Sequence, residues 1–145
     1  MIPAGVTEIK PYVFASRPYS SNPDQCIGEI VFSNSVVKIG KEAFCGLDYL
    51  SKLNLANVQE IGEGAFRECK RLAEIIIPDS VTDIEESAFD WCRALQEINL
   101  PNSITEIGAS AFSSCDNLAE ITIPTMLSTI SEYCFSSCSK LTSIT

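Results

Sequence analysis

Residues 61–82 read IGEGAFRECKRLAEIIIPDSVT, and residues 84–105 read IEESAFDWCRALQEINLPNSIT. Residues 107–126 return to the theme as IGASAFSSCDNLAEITIPTM. The three stretches align without gaps on Phe66, Phe89 and Phe112, which stand 23 residues apart. Self-similarity on a period of this length marks a solenoid. One unit cannot bury its own apolar face, so it stacks on its neighbours.

Working outward, the same phenylalanine recurs at Phe14, Phe44 and Phe135, with successive steps of 30, 22, 23, 23 and 23 along the chain. Ala43, Ala65, Ala88, Ala111 and Cys134 precede it. Cys69, Cys92, Cys115 and Cys138 follow at the third position, and Leu50, Leu72, Leu95, Leu118 and Leu141 at the sixth. Alternating apolar pairs come next: Leu53 and Leu55, Ile75 and Ile77, Ile98 and Leu100, Ile121 and Ile123. This alternation, rich in β-branched residues, predicts a short strand. Pro78, Pro101 and Pro124 end it, because proline has no N–H to donate to a ladder. Val81-Thr82-Asp83-Ile84 and Ile104-Thr105-Glu106-Ile107 predict a second extended piece on the opposite side. Ala-Phe-x-x-Cys is too short for a full helix and suits a 3₁₀ or single-turn segment.

The pattern Ile-Gly-x-x-Ala-Phe-x-x-Cys-x-x-Leu-x-x-Ile-x-Ile-Pro-x-Ser-Val-Thr resembles the BspA-like class of leucine-rich repeats, over nearly the whole chain. The resemblance implies a β-dominated solenoid of the α/β-horseshoe class. It would be right-handed, with about six coils of about 23 residues. Its parallel sheet would line the concave face, with short strands or 3₁₀ turns on the convex side. Commoner leucine-rich repeats place Asn after the strand where this chain has Pro. Within the class, Gly62 and Gly108 match the turn glycine, whereas Glu85 and Ser131 replace it.

The whole chain, 1–145, reads as one domain. The first unit departs from the period: residues 16–25 form an insertion rich in Pro, Ser and Asn, expected to be a surface loop. The chain starts part-way through a unit at Ile2-Pro3 and stops inside a strand at Ile144-Thr145, without an evident polar cap. Solenoid ends normally carry one. Residues 1–145 are therefore expected to be a segment of a longer array, or to have their ends covered by a partner or by end-to-end self-association.

Composition removes several function classes. Lys plus Arg number 10 against 19 Asp plus Glu, a net charge of -9. Such a surface repels phosphate backbones and anionic lipid heads, so neither nucleic acid nor a membrane is an expected partner. The absence of histidine removes Ser-His-Asp and Cys-His schemes and His-ligated metals. The glycines form no phosphate-cradling loop. No apolar run approaches the roughly 20 residues of a membrane span, and Met1–Ser20 lacks the layout of a signal peptide. No catalytic, cofactor-binding or metal-binding residue is expected.

The cysteine column offers the most tempting metal site. Coils about 4.8 Å apart spread four stacked sulfurs over roughly 14 Å, and a Zn–S bond is about 2.3 Å. Four such sulfurs cannot reach one ion. Parallel Cβ atoms near 4.8 Å also exceed the usual disulfide range of about 3.5–4.5 Å. The column therefore reads as buried thiols serving as small hydrophobes, and the phenylalanine column as core.

Outward-facing strand positions form the candidate recognition face: Lys52, Asn54, Glu74, Ile76, Glu97, Asn99, Glu120 and Thr122. Their two columns continue to Glu29 and Val31 on one side and to Ser143 and Thr145 on the other. Three readings stand beside one another. They are a solvated polar face, a stripe for a basic or polar protein surface, and a carboxylate pair or Ca²⁺ site. The last is disfavoured because an open face gives no desolvated pocket. A second acidic column (Glu8, Lys38, Glu60, Asp83, Glu106, Thr129) follows from the repeat itself and weakens any site claim built on the first. Trp91 and Tyr19 stand outside the pattern, and Trp91, if exposed, is a candidate interface anchor.

The function expected is a non-enzymatic protein-interaction module without cofactor. The resemblance implies bacterial or protozoan surface proteins that adhere to host matrix proteins, host cells or other microbes, so a cell-surface or secreted location. The alternative is an intracellular scaffold in a reducing compartment.

Overall fold

A computed structural model describes residues 2–16 and 26–145. Most of the expected insertion at 16–25 lies outside the described residues, as does Tyr19. The described chain folds into β1 (Glu8–Ile9), β2 (Glu29–Val31), β3 (Lys38–Ile39), β4 (Lys52–Asn54), β5 (Glu60–Ile61), β6 (Glu74–Ile76), β7 (Asp83–Ile84), β8 (Glu97–Asn99), β9 (Glu106–Ile107), β10 (Glu120–Ile121) and β11 (Ser143–Ile144). No helix occurs among the described residues.

Through β9, even-numbered and odd-numbered strands separate onto two parallel ladders. One runs β2-β4-β6-β8 and the other β1-β3-β5-β7-β9. Register follows the repeat: Glu29 pairs with Lys52, Lys52 with Glu74, and Glu74 with Glu97. On the other ladder Lys38 pairs with Glu60, Glu60 with Asp83, and Asp83 with Glu106. Each three-residue strand turns its middle side chain inward and its outer two to solvent, as a period of two requires.

The segment around each phenylalanine differs from the expected 3₁₀ piece, and the reason is backbone handedness. Two residues before the Phe, the chain is left-handed at Tyr12, Glu42, Gly64, Ser87, Ser110 and Tyr133. Two residues after it, the chain is left-handed again at Gly46, Glu68, Trp91, Ser114 and Ser137. These positions interrupt any continuous 3₁₀ run. They also turn alternate N–H groups out of the coil. Ala65, Arg67 and Cys69 donate within their coil, to Gly62, Gly64 and Phe66. Gly64, Phe66 and Glu68 donate instead to the next coil, to the carbonyls of Glu86, Ala88 and Asp90 at 2.8–2.9 Å. The same three cross-coil bonds recur in every interface from the Phe14 coil to the Phe135 coil. They form a third ladder. Non-glycine residues in this region cost about 1 kcal/mol or more each, and such strain persists where the surroundings over-determine it.

The core lies between the ladders. Phe14, Phe44, Phe66, Phe89, Phe112 and Phe135 stack with centroids 5.2–5.8 Å apart and planes within 9°. The rings of Phe44 through Phe112, together with Ala65, Ala88, Leu72, Leu95, Ile61 and Ile84, are fully buried.

Two departures from the ideal repeat affect the surface. The long-strand ladder is split after β8, and β10 pairs only with β11, so the expected single sheet is a four-stranded and a two-stranded piece. In the last coil, Ser131 stands where Gly62 and Gly108 stand in others. Gly62 and Gly108 donate their N–H to Ile39 and Ile84. At Ser131 it is the hydroxyl that donates, to the Ile107 carbonyl at 2.5 Å. Glu85 keeps the backbone bond, to Ile61 at 3.0 Å. Gly108 is required where it stands, because a Cβ there would lie 2.4 Å from the Glu86 nitrogen.

Candidate binding face

The outward side chains of the long strands lie where the period of two sends them. Lys52 and Asn54 leave β4, Glu74 and Ile76 leave β6, Glu97 and Asn99 leave β8, Glu120 leaves β10, and Thr122 follows it. All eight are exposed. In-register pairing through β8 stacks Lys52, Glu74 and Glu97 in one column and Asn54, Ile76 and Asn99 in the next. Val31 extends the second column beside Asn54. The structure thus brings six of the eight expected residues onto one continuous sheet. Glu120 and Thr122 sit on the separate β10–β11 piece, where the Thr122 and Thr145 hydroxyls lie 3.3 Å apart.

Ile76 is the unusual member. It is 66 % exposed, with Asn54 and Asn99 on either side of it in its column and Glu74 two residues before it on its strand. A shallow recess of about 280 Å³ lies beside it, lined by Val31, Lys52, Asn54 and Glu74. At the split, a second recess of about 470 Å³ is lined by Gln96, Glu97, Asn117, Glu120 and Lys140.

A larger recess, about 810 Å³, lies elsewhere, beside the two-residue strands. Glu60, Asp83 and Glu106 line it, as the second acidic column implied, but so do Glu63, Glu85, Glu86 and Glu132. Sequence reasoning missed those four because they belong to the turn before the Phe, not to the strand. The readable signal was acidic residues at the same turn in three coils. Lys38 pairs with Glu60, and Lys41 with Glu63 at 2.8 Å, so among the described residues only the recess's first coil is charge-compensated. The carboxylates are spread over several coils, and no cluster suited to a metal ion occurs among the described residues.

The cysteine column is core, with a hydrogen-bonding role that its composition did not reveal. Each thiol donates to the carbonyl of the phenylalanine in the preceding coil: Cys69 to Phe44, Cys92 to Phe66, Cys115 to Phe89 and Cys138 to Phe112, at 3.2–3.4 Å. Burial pushes all four thiols up. It also pushes Cys45 to about 11 and Cys134 to about 12. None of these is a poised nucleophile. Trp91 is exposed, and the Arg93 guanidinium lies over its ring at 4.4 Å. Arg93 also reaches Asp116 at 3.5 Å.

Comparison with known proteins places this geometry in a group. The chain matches the BspA type leucine rich repeat region in six copies, over residues 1–73 and 19–142. A leucine rich repeat protein of T. pallidum is 35 % identical over 75 % of this chain, with a TM-score of 0.73. One from Bacteroides ovatus is 32 % identical over 96 %, also with a TM-score of 0.73. A leucine rich cell surface protein from Faecalibacterium prausnitzii is 26 % identical over 97 %, with a TM-score of 0.60. The matched parts are 51 %, 33 % and 42 % of those chains, so this chain spans about half their length or less. Nothing among curated proteins matches it.

Proposed function

Because the chain belongs to the BspA-type leucine-rich-repeat family, we propose that it is a non-enzymatic protein-interaction module whose recognition surface is the β2-β4-β6-β8 face. The observation that carries this reading is Ile76, 66 % exposed between Asn54 and Asn99 on an in-register surface whose same column also carries the exposed Val31. An apolar anchor ringed by polar groups is the usual anatomy of a protein interface. Lys52, Glu74 and Glu97 supply the polar rim, and Asn54 and Asn99 flank the anchor with amides. The carboxylates are exposed and lie over shallow recesses, which favours contact with a partner over chemistry on a small substrate.

The finer reading is adhesion at a cell surface, to host or matrix proteins. Its support is the F. prausnitzii relative, itself a leucine rich cell surface protein. A scaffold in a reducing compartment is the second reading. Its support is the column of thiols that serve as hydrogen-bond donors, a role that needs them reduced.

The test is a surface-binding assay against a panel of extracellular-matrix proteins. It compares the chain with an Ile76→Ser variant and with a triple Glu74→Lys, Glu97→Lys, Glu120→Lys variant, both matched to it in melting temperature. Binding lost in both variants is the expected result. Binding kept in both would move recognition off this face. No binding by any form would remove the adhesion reading.

A further inference from the structure

Trp91 stands on the arc just after its phenylalanine, at a backbone position that does not suit it. Its φ is 62°, in the left-handed region, where Gly46, Ser114 and Ser137 hold the same place in other coils. A bulky side chain is a rarity there. The cross-coil bond of this position runs from the backbone, Trp91 N–H to the Ser113 carbonyl at 2.9 Å, and needs no indole. The indole is 40 % exposed and stands outside the apolar core. Such departures from local preference concentrate at functional sites.

Its surroundings hold it as an anchor. The Arg93 guanidinium covers the ring at 4.4 Å and is itself tied to Asp116 at 3.5 Å, so the pair is fixed before any partner arrives. Two coils back, Tyr49 is exposed, and the Arg71 guanidinium of the intervening coil lies over its ring at 4.7 Å. Arg67 reaches Asp90 at 3.6 Å and Lys70 reaches Asp48 at 3.1 Å, whereas no carboxylate among the described residues pairs with Arg71. Arg67, Lys70, Arg71 and Arg93 are four of the 10 Lys and Arg in a chain of net charge -9. They gather on the turn after the phenylalanine in two adjacent coils.

We propose that this edge is a second recognition surface, separate from the β2-β4-β6-β8 face, and that its partner is an acidic protein segment carrying an apolar side chain beside a carboxylate. The apolar side chain packs on Trp91. The carboxylate takes the unpaired N–H groups of Arg71, a planar, charge-assisted pairing that a guanidinium favours. Charge complementarity selects this partner. Elsewhere the outward columns carry Glu74 and Glu97 on one ladder and Glu60, Asp83 and Glu106 on the other, and both repel an acidic segment. Trp, Tyr and Arg are also the side chains that supply most of the binding energy at protein interfaces.

Trp91 is the single tryptophan of the 145 residues, so its fluorescence reports on this edge alone. The probe is a synthetic peptide of three Glu-Leu-Asp-Gly repeats, titrated into the chain up to about 1 mM. The expected result is a saturable change in Trp91 emission with a Kd of about 10–100 µM, weakening about tenfold between about 50 and 500 mM salt. Arg71→Glu should weaken binding about tenfold or more. A matching peptide with Lys in place of Glu and Asp should leave the emission unmoved. Trp91→Ser, read by anisotropy of the labelled acidic peptide, should lose binding and melt within about 3 °C of the parent chain. An emission that does not respond, an affinity unchanged in Arg71→Glu, or an equal response to the Lys peptide would overturn the proposal. A larger fall in the melting temperature of Trp91→Ser would assign the indole to packing and overturn it too. If circular dichroism shows Arg71→Glu to be unfolded, Arg71→Gln takes its place in the same titration.

Discussion

The thiol of Cys92 donates a hydrogen bond to the carbonyl oxygen of Phe66, one coil back, at 3.2 Å. The same oxygen already accepts the N–H of Cys69 at 3.2 Å. The cysteine column thus adds a second donor to the carbonyls of Phe66 and Phe89 and supplies one to those of Phe44 and Phe112, while filling core volume. Its sulfurs are held by the fold and shielded from reagents, and that has a direct chemical consequence.

Native alkylation at pH 8 should modify Cys26 fast and the other cysteines slowly. Cys26 is exposed, whereas Cys69, Cys92, Cys115 and Cys134 are buried. Burial also raises the thiols of Cys45 and Cys138. Mass spectrometry should show one rapid adduct in the folded chain and seven after denaturation, the full cysteine count. Several rapid adducts in the native state would contradict the buried column.

Removing a ring from the stack should cost most at its centre. Phe89→Ala is expected to lose about 3–5 kcal/mol, the range for emptying a packed phenylalanine site. Phe135 is only partly buried in the last coil, so Phe135→Ala should lose less than half of that. Denaturant melts of both variants check the order. Equal losses would mean that the stack is not the shared core.

Asp90 gives a pH-dependent prediction. Burial raises its carboxyl above the ordinary 3.8, against the pull of Ser113 and the Arg67 guanidinium. The folded chain therefore holds that proton more tightly than the unfolded chain. The stability this gives is fully present below 3.8 and is lost as pH rises through the folded value. The carboxyl's Oδ1 is buried with no hydrogen-bond partner among the described residues, while Oδ2 lies 3.6 Å from the Arg67 Nε. Asp90→Ser puts the residue of its own column, seen at Ser113 and Ser136, in its place. It should gain about 1 kcal/mol at pH 7 and about 2–4 °C in Tm. The gain should shrink toward pH 4. A gain independent of pH would assign it to packing instead.

The left-handed columns predict opposite outcomes for two mirror-image changes. Gly64 already serves the position that Ser110 serves two coils on, at φ values of 58° and 56°. Ser110→Gly should raise stability by up to about 1 kcal/mol, because it removes Cβ strain. Gly64→Ala should lower stability by about 1 kcal/mol, since its Cβ would also press on the Glu42 side chain at 3.0 Å. Thermal melts that move both variants in one direction would contradict the strain argument.

How far the sequence could be read depended on which properties a period exposes. Parallel in-register stacking sets residue n over residue n + 22 or n + 23, so the columns of Phe, Cys, Leu and Ile, and the outward row of Lys52, Glu74 and Glu97, were legible in the sequence alone. Side-chain alternation in a strand is a local property, and Ile76 needed only its neighbours to be placed outward.

Tertiary structure decided what depends on contacts between coils. Ser87, Trp91 and Tyr133 have no intrinsic preference for a positive φ. Cross-coil hydrogen bonds hold them there and convert the expected 3₁₀ piece into a third ladder. The break between β8 and β10 leaves Glu120 on a separate sheet from Glu97, although both stand at the same repeat position. Glu63, Glu85, Glu86 and Glu132 join Glu60 and Asp83 in one recess because the turn folds back beside the strand. The sequence determined which residues share a column, since that follows from the repeat length. The packed coils determined backbone handedness and which columns meet across a turn, because both are fixed by hydrogen bonds and close approaches between residues of different repeats.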